Sequence, residues 1–161
     1  MSAAKDKTNA LRLLGVHRVP YQLFTVPPEI HSATEVAQAL GLPPHEVYKT
    51  PVVLRPQGRP LLVMVAGDRE LDLKRVAAAV GEKKVRMATQ RKAEALTGLQ
   101  VGGISALALL DRPFDVCIDR AAQALSHIVV SAGKRGMNVR VAVDDLVRLT
   151  RARVIAATAS E

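Results

Sequence analysis

Thr50-Pro51-Val52-Val53-Leu54-Arg55-Pro56-Gln57-Gly58-Arg59-Pro60-Leu61-Leu62-Val63-Met64-Val65 is the stretch on which the architecture turns. Two apolar runs, Thr50 to Arg55 and Pro60 to Val65, flank Pro56-Gln57-Gly58-Arg59. Apolar runs around a Pro/Gly-containing connection predict a β-hairpin. Downstream, Asp72 is placed to cap a helix through Val80, with Gly81 at its end. Thr89 starts another helix through Thr97, stopped by Gly98. Short polar side chains at the start and glycine just past the end mark helix limits. Upstream, Ser32 with Glu35 is a capping-box signal for a helix through Leu40, closed by Gly41. Pro43-Pro44 opens a short helical turn whose end delivers Tyr48-Lys49.

The remaining elements lie farther out. Lys5 to Leu14 reads as a helix stopped by Gly15, and Tyr21 to Thr25 as a strand after Pro20. Phe114 to Ile118, His127 to Val130 and Asn138 to Val143 read as strands, and Asp144 caps a last helix through about Arg151. Only the first few residues and the tail from about Arg153 look expendable, although Val154-Ile155 can pack. Helices and strands are interspersed, so the expected class is α/β (α+β) around a mixed sheet.

A chain of 161 residues is most simply one domain, spanning 1–161, and is long enough for a real core. That core must be aliphatic: there is no Trp, and Tyr21, Tyr48, Phe24 and Phe114 are the only aromatics. The net charge of +8 and a pI near 10.2 favour a polyanionic partner. So few aromatics argue against a single-strand stacking platform. Cys117 is the single cysteine, so no intramolecular disulfide can form. The N-terminus lacks the apolar run of a secretory signal, and no stretch approaches the ~20 apolar residues that span a bilayer. The expectation is a soluble, cytoplasmic protein.

Three strings could carry chemistry. Val47-Tyr48-Lys49-Thr50 places an ammonium where a helical turn hands over to a strand. Lys49 there can contact a phosphate or ribose oxygen, or be an ordinary surface lysine. In Val101-Gly102-Gly103-Ile104-Ser105, two glycines let the backbone approach a ligand and turn its N–H groups inward. That suits an oxyanion hole, and equally a tight turn. Val130-Ser131-Ala132-Gly133-Lys134-Arg135-Gly136 could be mistaken for a P-loop, but Ile128 and Arg135 stand where Gly and Ser or Thr are required. It is an anion cradle or a basic hairpin turn.

Other candidates fall away. His17, His31, His45 and His127 show no metal-ligand spacing and read as surface or loop residues. Asp68, Glu70 and Asp72 are explained by a loop plus a helix cap. Ser105 lacks the flanking glycines of a nucleophile elbow, and Cys117 sits in an apolar run as a small core residue. No constellation for nucleophilic or acid/base catalysis emerges.

The order and setting of the three strings resemble the YbaK/EbsC family of aminoacyl-tRNA deacylases. The likeness runs from the N-terminal helix to Leu149, with Asp72-Leu73-Lys74-Arg75-Val76 and Lys83-Lys84-Val85-Arg86-Met87-Ala88 supporting it. The resemblance implies a mixed, mostly antiparallel, barrel-like sheet surrounded by helices. It implies a trans-editing enzyme that removes cysteine from proline tRNA, with Cys-tRNA(Cys) a further candidate substrate. In that family the cysteinyl sulfur attacks its own ester carbonyl, the tRNA's 3′-terminal ribose oxygen departs, and the product is a cyclic thiolactone. Lys49, Gly102 and Gly103 then take the catalytic roles, and Thr50, Ile104, Ser105, Ser131, Gly133, Lys134 and Arg135 hold the substrate. No cofactor or metal is implied. The acceptor end of tRNA(Pro) is the implied partner, with prolyl-tRNA synthetase a further candidate, and neither membrane nor DNA. The readings kept open beside it are a water-mediated deacylase of Ala-tRNA(Pro) and a non-catalytic module binding tRNA or a synthetase. Two positions depart from the pattern: Val26 where relatives carry tyrosine, and Ala106 where proline is common. Tyr21 lies an odd number of positions from Val26, so in a continuous strand it faces the other way.

Overall fold

In the computed structural model, which describes residues 8–159, the predicted hairpin is present. Strand β3 (Val52–Leu54) pairs antiparallel with β4 (Leu61–Ala66), with Val52 opposite Leu62. All six β4 residues are buried, because both faces of this strand are covered. Leu62, Met64 and Ala66 join the central core, while Leu61, Val63 and Val65 pack on the opposite side with Val76 and Ala77. The period-2 alternation of a strand divides its side chains in this way.

Around β4 grows the larger sheet. Strand β2 (Tyr48–Lys49) pairs with it antiparallel, and β6 (Asp115–Asp119) pairs with it parallel. Two short edges complete it: β5 (Arg86–Met87) on β3 and β9 (Arg153–Ile155), parallel, on β6. A second sheet has the order β1-β8-β7, all antiparallel, from β1 (Tyr21–Thr25), β7 (His127–Lys134) and β8 (Met137–Ala142). The sheets face one another across a core that includes Leu62, Met64, Ile118, Ile128, Val130, Val139 and Val141. The mixed, mostly antiparallel character therefore holds. The barrel does not close: between β2 and β7 there is only the single bridge Val47 to Val129.

Three helices begin and end where the sequence places them. Ser32, Asp72 and Thr89 cap α2 (Ala33–Leu40), α3 (Leu73–Val80) and α4 (Gln90–Thr97) through side-chain bonds to first-turn N–H groups. Gly41, Gly81 and Gly98 end them in the left-handed region. Each such N-cap contributes about 1 kcal/mol.

Elsewhere the boundaries move. Helix α1 (Asn9–Val16) is capped by Thr8 and runs past Gly15, and Arg18, not glycine, takes the positive φ after it. The Lys5–Lys7 part of the expected helix lies outside the described residues. Helix α5 (Val143–Thr150) starts before Asp144, so Asp144 and Asp145 occupy its first turn and complement the dipole instead of capping. Strand β7 continues to Lys134 through a bulge, so 131–134 is bent strand, not loop. The tail is not expendable. It forms β9, and beyond it Asp119 accepts hydrogen bonds from the Ala157 N–H (2.9 Å) and the Thr158 hydroxyl (2.8 Å), all buried.

Candidate active site

Lys49 is delivered by a short 3₁₀ turn (Pro44–Glu46) into β2, where it stands opposite Val65. Strand alternation sends Tyr48 into the core and Lys49 to the other face. The bridge between Val47 and Val129 brings this segment beside β7. Lys49 Nζ is 3.5 Å from the Gly67 carbonyl oxygen, a long contact, and among the described residues no carboxylate lies within ion-pair distance of it. The ammonium is half-buried and available to an outside acceptor.

A small pocket of ≈ 60 Å³ opens at Lys49. Thr50, Gly102, Ile104 and Ser131 line it, together with His31, Tyr48 and Asn138. A larger cleft of ≈ 510 Å³ adjoins it and shares Lys49, Thr50 and Ile104. Gly102 has φ +92°, and a Cβ there would lie 2.6 Å from His31 Cβ and Nδ1, so no other residue fits without displacing the histidine. Among the described residues the N–H groups of Gly102 and Ile104 have no protein acceptor. The loop that carries them is held from both sides. Val101 N–H donates to Glu94 Oε2 (2.9 Å), and Arg135 Nε donates to the Val101 carbonyl (2.7 Å).

The structure thus brings together Lys49, Thr50, Gly102, Ile104 and Ser131, and separates the other five sequence candidates from the pocket lining. Gly103 donates its N–H to the Gln100 carbonyl (2.7 Å), and a Cβ there would press on Arg135 N at 2.8 Å; its amide closes a turn and is not free for an oxyanion. Ser105 is buried, and its Oγ accepts from Ala108 N–H (3.3 Å) at the start of a 3₁₀ turn. Gly133 faces Ala108 and Thr8. Lys134 is exposed, and Arg135 is engaged with the glycine loop. Ser131 Oγ accepts from Gly133 N–H (3.1 Å), which leaves its own O–H to donate.

Three lining residues escape a reading of the sequence. Asn138 sits directly opposite Ser131 in the β7–β8 register and is buried; no local pattern sets it apart from Arg140, the strand's other polar residue. His31 is a loop residue, as expected, but it packs on Gly102 at the pocket wall, and no local pattern marks that role. Tyr48 lines the pocket too, and its hydroxyl is buried without a protein partner among the described residues. Burial above all, then Asp119, pushes its pKa up to about 12; Arg69 opposes and Asp68 reinforces the shift. Val26 packs against the α2 cluster and does not line the pocket, and Tyr21 is exposed on β1, so neither places a hydroxyl there. The polar groups facing a ligand are instead Lys49, His31, Thr50, Ser131, Asn138 and main-chain amides.

A cation and free amides beside a small pocket can polarise a carbonyl and stabilise negative charge developing on its oxygen. Known proteins are similar to this chain in sequence and fold. EbsC of Enterococcus faecalis, a proposed Cys-tRNA(Pro)/Cys-tRNA(Cys) deacylase, is 37% identical over 159 residues, covering 98% of this chain and 96% of its own. The proline–tRNA ligase of Staphylococcus aureus is 28% identical over 120 residues, 73% of this chain and 21% of the ligase. A crystal structure described as a proposed trans-editing enzyme for prolyl-tRNA synthetase shares the fold, with a TM-score of 0.80, 24% identity and 99% of both chains covered. Residues 27–149 match the aminoacyl-tRNA editing domain, and the chain belongs to that family.

Proposed function

We propose that this editing enzyme clears cysteine from mischarged tRNA(Pro) in trans, with the substrate's own sulfur as nucleophile. The ester carbonyl lies at Lys49, its oxygen facing the ammonium and the Gly102 and Ile104 amides. The cysteinyl sulfur attacks that carbonyl carbon. The C–S bond forms, the ester C–O bond breaks, and the thiol proton ends on the departing 3′-terminal ribose oxygen. The product is a thiolactone that opens later in water. A free thiol has a pKa near 8.5, so a few per cent is thiolate at pH 7. A folded conformer raises its effective concentration by several orders of magnitude.

One observation carries this reading. Among the described residues the pocket presents a cation, amides and hydroxyls, but Ser131 and Thr50 have no histidine or carboxylate hydrogen-bonded to them as a base. The site is equipped to stabilise an oxyanion and to orient an ester, not to activate its own nucleophile. Selectivity follows from the chemistry: alanine has no nucleophile and a serine hydroxyl is a weak one. A pocket sorting by one methylene reaches only about 10–200-fold. The tRNA acceptor end is the partner on this reading, with prolyl-tRNA synthetase supplying recognition of the rest of the tRNA and the cytoplasm as the setting.

His31 favours a second reading, since an imidazole at the pocket wall could hold a water against an alanyl ester. Deacylation of Cys-, Ala- and Ser-charged tRNA(Pro), by the wild type and by His31→Gln, separates the two. The proposal expects cysteine to be fastest and the variant to keep that activity. A preference for alanine that disappears in the variant would establish the hydrolytic alternative.

A further inference from the structure

We infer that the larger cleft is the seat of the tRNA's 3′-terminal nucleoside, and that the adjoining basic edge carries the phosphates preceding it. The inference rests on the deacylase reading and names a subsite for the leaving group.

The geometry begins at the junction. The small pocket (≈ 60 Å³) and the large cleft (≈ 510 Å³) meet at Lys49, Thr50 and Ile104. An ester held at Lys49 must send its amino-acid side one way and its ribose the other. The small pocket has no room for a nucleoside, whereas the cleft lies within the size range of small-molecule sites. Its wall is largely apolar, with Val52, Met87, Ala88, Ala93 and Val101, while Gln90 contributes an amide and Glu70 a carboxylate, groups that can bond a base's or ribose's N–H and O–H donors. Met87 is a large apolar side chain left 47% exposed on β5. A thioether is a good neighbour for an aromatic ring such as a purine base.

Charge continues the path. Lys83, Lys84, Arg86, Arg91 and Lys92 surround Met87 in sequence, with no carboxylate between 83 and 92. All five are exposed, and none is ion-paired among the described residues. Strand alternation in β5 turns Met87 to the cleft and Arg86 to a further hollow of ≈ 330 Å³, which Arg86 shares with Lys84 and Arg55. Apolar slot and cation row thus lie back to back across two residues. That suits a terminal base followed by its phosphodiester chain. A neutral or basic protein surface seeking an apolar groove would gain nothing from this row of unpaired cations.

The test uses uncharged oligonucleotides, so it does not depend on ester cleavage. The trinucleotide CCA and the same oligonucleotide with an abasic terminal sugar are titrated into methionine-methyl-labelled protein, wild type and Met87→Ala. The expected result is a shift of the Met87 methyl with CCA, affinity weaker by about fivefold or more without the terminal base, and a loss in Met87→Ala seen for CCA but not for the abasic oligonucleotide. Equal affinity for the two oligonucleotides, equal weakening of both by the substitution, or a Met87 shift that follows protein concentration alone would overturn the assignment. Normal turnover of cysteinyl-tRNA with an abasic terminus would remove the nucleoside subsite and leave the deacylase standing. Base-dependent binding at Met87 in a protein that cleaves no ester would support the subsite and remove the deacylase.

Discussion

At the level of single residues, the account assigns unequal roles to groups that look alike in sequence. Among the described residues Lys49 has only a long contact to the Gly67 carbonyl, so its ammonium is the site's uncommitted charge. Lys49→Ala should lower the deacylation rate constant by at least about 100-fold with the thermal midpoint nearly unchanged, as single-turnover assays and calorimetry on one preparation would show. Cys117 is the opposite case. It is buried on the α3 side of the larger sheet, and burial first of all pushes its thiol pKa up. Cys117→Ala should leave the rate within about twofold, at a stability cost of roughly 1 kcal/mol for the lost buried sulfur. Tyr48 makes a pH prediction. Its folded pKa is raised from 10.0 to about 12, so the unfolded chain loses that proton first as pH rises. Between about pH 10 and 12 this group therefore lowers stability with increasing pH, and below pH 10 it contributes no slope. Tyr48→Phe should reduce that alkaline loss, and near neutrality it should be neutral or stabilising by up to about 1 kcal/mol because the buried hydroxyl has no partner to lose. Denaturant melts from pH 7 to 11.5 would show both.

At the level of elements, the glycine loop is a clamped hinge between α4 and the central core. Glu94 fixes its N–H side and Arg135, from the β7–β8 turn, fixes its carbonyl side. Arg135→Met should therefore lower kcat by about tenfold with KM little changed, because the loop would no longer hold its amides where charge develops. A matched loss of affinity for uncharged tRNA would instead mean that Arg135 is a phosphate contact. The same clamp explains what could be read in advance. Ser32, Asp72 and Thr89 were legible as caps, and Gly41, Gly81 and Gly98 as stops, because capping is settled within four residues. Gly102 and Lys49 were legible through their motifs. The duties of Gly103 and Arg135 were not, because each depends on a partner more than thirty residues from one of them: Arg135 N against Gly103, and Val101 beneath Arg135. Asn138 and His31 reach the pocket only through β7–β8 pairing and loop packing. Val154-Ile155 packs as expected, on β6, but the residues beyond it misled for the same reason, since Ala157 and Thr158 are held by the distant Asp119.

At the level of the whole molecule, two sheets meet face to face and are bridged at Val47 and Val129, and the pocket opens beside that bridge. Residues of both sheets line it, so the site exists only in the assembled fold. The net charge of +8 and the cation row from Lys83 to Lys92 give the molecule a long-range attraction for RNA. The log of tRNA affinity should fall linearly with log salt, and the double change Lys84→Ala, Arg86→Ala should reduce that slope by about one to two, with chemistry on bound substrate unaltered. Single-turnover cleavage of cysteinyl-tRNA(Pro) should be compared with that of the same tRNA carrying S-methylcysteine, at saturating enzyme. The account predicts that methylation reduces the rate to the uncatalysed background, while both tRNAs bind alike. Cleavage of the S-methyl substrate at the normal rate would contradict it.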